Sequence, residues 1–204
     1  MLLAMPVHEP RELPVHEVRD SQALRALAHP LRIRLLEELA ISGSLTATEA
    51  AALVSESPAN CSWHLRQLAR YGFVEEAEAG PGRRRRWRLL PQQNRWPDWD
   101  EDEQVRLAGT AATLALLARE HDALRAWLAS AGTAPAGWRD AAFITQSIGW
   151  LTAEELNQVG HEINEVFLRY ADRLSNPARR PPGAKPVRLI GWGIPARPPQ
   201  QEGN

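Results

Sequence analysis

Sixteen residues, Ser57 to Gly72 (SPANCSWHLRQLARYG), constrain the chain more than any other stretch. Ser57 is a helix-capping residue, Pro58 suits a first helical turn, and Gly72 is the usual residue just past a helix end. At helical period Cys61, Leu65 and Leu68 fall on one face, which must pack into a small core. Asn60, Trp63, Arg66, Gln67 and Arg70 then point outward, with Ser62 beside them. An amide, a hydroxyl, an indole and two guanidiniums are the groups that read base edges and hold phosphates.

The flanks say what kind of core this is. Upstream, TATEAAALVSES predicts a short Ala-rich helix from Thr46 or Thr48 to Val54, followed by a tight connection. Downstream, FVEEAEAGPGRRRRWRLL alternates over Val74–Glu78 and Arg84–Leu90 around a Gly80-Pro81-Gly82 turn, as a hairpin does. Helix, turn, helix and an arginine-tipped hairpin make a winged helix-turn-helix. Glu75, Glu76 and Glu78 can pair across the hairpin with Arg83, Arg84, Arg85, Arg86 or Arg88. Three acids cannot neutralise five arginines, so those nearest the tip are left for phosphate or a minor groove. Asp20 or Ser21 predicts the start of a helix through Leu24, Leu27 and Ala28, and Pro30 opens another that Gly43 closes. The second helix has a stripe of Leu31, Leu35, Leu36 and Leu39, leaving Arg32, Arg34, Glu37 and Glu38 wet.

AHPLRIRLLEELA, the run Ser62-Trp63-His64-Leu65, RQLARYGFVE and the basic wing together resemble the bacterial ArsR-type regulators over residues 20–90. The resemblance implies a DNA-binding regulator, a repressor by the habit of that family, and a contact from His64 to the DNA backbone. Metal-sensing members carry paired cysteines, whereas Cys61 stands alone here. Its spacing from His64 fits a pair of metal ligands, but its position on the apolar face fits a small hydrophobe better. His8, His16, His121 and His161 are scattered, so neither a metal nor any other cofactor is expected.

Net charge is −1, which rules out a globally basic nucleic-acid binder, yet the charge is unevenly laid out. Residues 57–90 carry seven Arg against three Glu, whereas residues 92–178 carry seven Arg against thirteen Asp or Glu. A basic face on an acidic body orients a protein on double-stranded DNA. No apolar run reaches the ~18 residues of a membrane span, and one cysteine forms no internal disulfide, so a cytoplasmic protein is expected.

The domain reading follows. Residues 1–17 are an extended arm, 18–91 the winged helix-turn-helix, 92–99 a linker, 100–195 a helical dimerisation and effector region, and 196–204 a disordered tail. In the helical region, 100–131 reads as one long helix with an apolar face of Leu107, Ala111, Leu114, Leu117, Ala118, His121, Leu124 and Leu128. The small-residue run at 109–113 suits a close helix neighbour. Thr152 and Glu155 form a capping box for a helix through Leu174, and VRLIGWGIP (187–195) reads as a last strand. The DNA-binding core is expected to bury its own stripes without these helices, whose apolar faces then join a homodimer. Six of the eight tryptophans lie at or beyond Trp96 and offer a lining for a small-molecule effector.

Trp63 has two readings, contact with a thymine methyl or sugar, and packing against the helix at 46–54. No nucleophile elbow, Gly-rich phosphate loop or HExxH run is present, so no enzyme is expected. The fold class expected is mainly α with a small β-hairpin wing. DNA contacts are expected from Ser57, Asn60, Ser62, Trp63, His64, Arg66, Gln67, Arg70, Arg83, Arg84, Arg85 and Arg86. The other reading is a winged-helix module that binds proteins and reads no DNA sequence.

Overall fold

Local capping residues set the frame. The computed structural model describes residues 13–77, 85–97 and 99–197. The Asp20 carboxylate accepts from the Gln22 amide at 2.8 Å and starts α1 (Ser21–Leu27). His29 starts α2 (Pro30–Ser42) by accepting the Leu31 N–H on Nδ1 at 3.2 Å, and Pro30 takes the first helical position, where a missing N–H costs nothing. Gly43 ends α2 at φ 81°, a conformation that favours glycine. Thr46 and Glu49 cap α3 (Ala47–Val54) reciprocally, the Thr46 N–H donating to Glu49 Oε2 at 2.7 Å. Ser57 caps α4 (Pro58–Arg70), and Gly72 at φ 72° turns the chain out of it.

The expected hairpin forms from β3 (Val74–Ala77) and β4 (Arg86–Leu89); Arg85 and Leu90 fall outside β4, and Glu78 lies outside the described residues. A third strand, β2 (Ser44–Thr46), pairs antiparallel with β4, giving the order β2-β4-β3. The Gly80-Pro81-Gly82 turn, Arg83 and Arg84 lie outside the described residues, as do residues 1–12 and the end of the tail from 198. Trp87 on β4 is buried and roofs the core made by Leu24, Leu35, Leu39, Leu65, Leu68 and Phe73. The fold is thus a winged helix-turn-helix followed by a helical region.

Three expectations change. The arm is not detached throughout, because β1 (Val15–Glu17) pairs in parallel with β5 (Gln93–Arg95) inside the expected linker. Two short segments with no apolar alternation hold each other by backbone hydrogen bonds, one of which runs from the Val18 N–H to the Arg95 carbonyl at 2.8 Å.

The long helix α5 (Glu103–Ser130) buries Val105, Ala108, Gly109 and Ala112, while Leu107, Leu114, Leu117, Leu124 and Leu128 are exposed. Its small residues let it lie close on α1: a Cβ at Gly109 would meet Trp96 Cδ1 at 3.5 Å and Leu24 Cδ1 at 3.9 Å. The Trp96 indole N–H donates to Thr113 Oγ1 at 3.0 Å across the same seam. The first half of α5 therefore belongs to the helix-turn-helix core, and that core does not bury its stripes alone. Ile33 joins the buried stripe of α2, while Leu36 is only partly buried. Glu37 is not wet either, because Arg119 of α5 holds its carboxylate with two hydrogen bonds of 2.8 and 2.9 Å.

The third change concerns the last third of the chain. After α6 (Ala136–Ala141), α7 (Ala153–Leu168) starts at the expected Thr152–Glu155 capping box but ends six residues early, before a separate turn, α8 (Asp172–Ser175). Residues 187–195, expected as a strand, have no strand partner among the described residues.

Candidate nucleic-acid interface

The outward face of α4 is what the core leaves over. Cys61, His64, Leu65 and Leu68 are buried, which fixes the helix by one side and fixes the opposite side in solvent. Trp63, Arg66 and Arg70 are exposed there, flanked by the half-exposed Asn60, Ser62 and Gln67. The outward set read from periodicity is thus brought together, while two other residues expected to contact DNA, Ser57 and His64, are used otherwise.

Ser57 is used as the cap, its hydroxyl accepting the Asn60 N–H at 3.1 Å, so it shapes the helix start. His64, expected to touch DNA, is 4% exposed and lies beneath the helix instead. Its ring lies tilted against His29 with centroids 4.6 Å apart and forms a T-shaped pair with Trp63 at 4.7 Å. Its position, three residues from Cys61 and one from Leu65, puts it on the apolar face. Burial, then the neighbouring His29 and Arg32, hold the His64 imidazole below its usual range despite Glu56. Burial and Arg32 do the same to His29, which must stay unprotonated at Nδ1 to cap α2.

The polar side chains are lightly tethered. Asn60 Nδ2 donates to Glu56 Oε2 at 3.0 Å, and Arg66 donates to Ser62 Oγ at 3.1 Å. Arg70 lies over the Tyr71 ring at 5.8 Å. Each tether is an exposed contact that a base or phosphate can replace at little cost. Trp63 stays 50% exposed, so packing against α3 does not consume its indole.

In the wing, Arg85 pairs with Glu76 at 3.0 Å and Arg88 with Glu75 at 2.8 Å. These two pairs are those the sequence allowed. Arg86 has a different role from the expected one. It donates to the Ser44 carbonyl at 2.7 Å, to Ser44 Oγ at 3.2 Å and to Glu49 at 3.2 Å. It fastens the wing to the start of α3. The same Glu49 closes the capping box, and the backbone hydrogen bond from Thr46 and the Arg86 contact keep its carboxyl below the usual range. A helix start at Thr46 or Thr48 was readable; that Glu49 would cap it and also hold a wing arginine was not, since the pairing needs β4 beside β2.

Residues 27–77 match the family model of a helix-turn-helix domain. This segment is a helix-turn-helix domain. The match covers α2 to β3 and names no narrower subfamily. No curated protein matches the chain. Among the described residues, no group of three or more His, Cys, Asp or Glu side chains is placed to hold a metal ion. No helix among them is long and apolar enough to cross a membrane.

The tryptophans are spread out. Trp87 is in the helix-turn-helix core and Trp96 packs against it, while Trp99 and Trp150 are exposed. Trp192 lines a shallow apolar groove along α7 with Leu156, Ile163 and Phe167.

Proposed function

We propose that this chain is a DNA-binding transcriptional regulator, of the ArsR type and a repressor, that acts as a homodimer on a palindromic operator. One observation carries the reading. α4 is locked by Cys61, His64, Leu65 and Leu68 and turns Asn60, Ser62, Trp63, Arg66, Gln67 and Arg70 outward together. That is the arrangement by which a second helix of a helix-turn-helix enters a major groove. Arg66, Arg70 and the wing arginines supply phosphate contacts and Asn60, Ser62 and Trp63 supply base contacts.

The exposed leucines of α5 and the exposed Val159 and Val166 of α7 join two copies, spacing two α4 helices about 34 Å apart for successive grooves. A change at that junction, such as binding of a small molecule in the groove on α7, alters the spacing and with it the affinity.

The paired state of Arg85, Arg86 and Arg88 favours the second reading, a winged-helix module that binds proteins. Salt separates the two. Selecting duplexes from a random pool and titrating the selected duplex across salt concentrations should give a log–log slope of roughly −0.9 per phosphate contacted. Failure to enrich any duplex, or weak binding indifferent to salt, would leave the protein-binding reading.

A further inference from the structure

Two segments of the last third carry unpaired backbone and exposed apolar side chains together. From Phe143 to Leu151, and from Lys185 to Pro195, the backbone makes no hydrogen bond to any described residue. Phe143 is 74%, Ile148 83% and Trp150 101% exposed in the first, and Val187 64%, Trp192 74% and Ile194 67% in the second. Exposed donors and acceptors can bond to water, but a row of them beside apolar side chains is also a template for another strand.

The second segment is also seated. A Cβ at Gly191 would stand 2.8 Å from Ile163 Cγ2, and one at Gly193 would stand 2.8 Å from Leu156 Cδ1, so its backbone lies directly on α7. Arg188 pins it further by ion pairs to Glu37 and to Glu120. It is a seated segment whose backbone is unpaired among the described residues. The first segment has no assigned secondary structure and runs into the Thr152 cap of α7.

We infer that a second copy of this chain pairs these segments by strand exchange, each copy laying residues 143–151 along residues 187–195 of the other. A foreign strand added to 187–195 would leave 143–151 unpaired. A second copy satisfies both segments in both chains, in a closed twofold arrangement. The surface is sufficient. Phe143, Trp150 and Trp192 from each copy, at roughly 150–250 Å² each, give on the order of 1,000 Å² before the aliphatic side chains are counted. Stable interfaces begin near ~1,200 Å².

This inference rests on the dimer reading above and is independent of DNA binding. The test uses the full chain. Amide exchange in 143–151 and 187–195 should slow as protein concentration rises through the dimer range. Ile148→Pro and Ile190→Pro each remove one donor per chain, hence two per dimer, and sedimentation equilibrium should show dimer dissociation raised roughly thirtyfold. Neither donor is used by another described residue, so both variants should keep the near-ultraviolet circular dichroism of the intact monomer. A dimer unaffected by either proline would overturn strand exchange and leave the junction to the helix faces. Exchange that is slow at every concentration would also overturn it, by placing the pairing inside one chain. A chain that is monomeric at all concentrations would overturn the dimer reading along with it.

Discussion

The two parts of this chain treat the same residue types in opposite ways. From Val18 to Ala112 the large aliphatic and aromatic side chains at helix seams are almost all buried, Leu24, Leu35, Leu65 and Leu68 completely. From Ala142 to Pro195 the phenylalanine, isoleucines and tryptophans named above stand in solvent. Burying one such side chain is worth about 1.5–3 kcal/mol, so the first part is stabilised from within and the second is not. The border between them is not the proline-containing stretch after the wing. It falls within α5, whose first half closes the helix-turn-helix core through Ala108, Gly109 and Ala112 and whose second half presents leucines outward. The difference separates the part that one chain buries by itself from the part that it leaves in solvent.

Moving the border is the harshest test of that comparison. A chain ending at residue 92 loses the cover that Val105, Ala108 and Ala112 give to α1 and should not fold cooperatively. A chain ending at residue 133 should give a sharp urea transition. A cooperative 1–92 fragment would show the border drawn in the wrong place.

Single side chains sharpen it next. Leu65→Ala should cost about 2–5 kcal/mol in equilibrium unfolding. Ile148→Ala should change the stability of the dilute monomer by less than about 0.5 kcal/mol. Similar costs at the two positions would erase the distinction.

Within the folded part, the outer face of α4 should be separable from its inner one. Asn60→Ala and Trp63→Ala should each cost about 1–3 kcal/mol in binding at particular base pairs of a selected duplex, with no change in unfolding. Arg85→Ala should weaken all duplexes alike. A shift in preferred sequence from Arg85→Ala would reverse the roles given to helix and wing.

A smaller effect links pH to the buried histidines. The ordinary value is 6.5 and both folded values lie below it, so the unfolded chain takes up protons first as pH falls. Stability is therefore full above about 6.5 and declines below it. Arg32, Glu56 and Tyr71 are the charged or titratable neighbours of this cluster. His29→Asn keeps a capping acceptor that cannot be protonated, so its unfolding midpoint should fall less between pH 7.5 and 5.5 than that of the unaltered chain. An equal fall would remove His29 from the explanation.

What could be read from the sequence follows the range of the forces involved. The starts of α1, α3 and α4 were legible because Asp20, Thr46 and Ser57 act within three residues of themselves. The outward set on α4 was legible because period 3.6 fixes it once Cys61, Leu65 and Leu68 are inside. The strands β1, β2 and β5 are three residues each and exist only because a distant partner lies beside them. The docking of α5 on α1 was missed because leucines dominate a count of apolar residues, whereas close approach to α1 selected glycine and alanine. His64 was assigned to DNA by resemblance, although its place in the helical period put it under the helix with Cys61 and Leu65.

Hydroxyl-radical footprinting of a duplex selected by the full chain tests the central claim most directly, since it reads the helix and the junction of two copies together. The account predicts two protected patches on one face of the duplex, centred about 34 Å apart. Both should be lost together when Arg66 and Arg70 are replaced by Ala. A single patch that never doubles as protein is added would contradict the dimer, and protection unchanged by the two replacements would contradict the assignment of α4 as the DNA-reading helix.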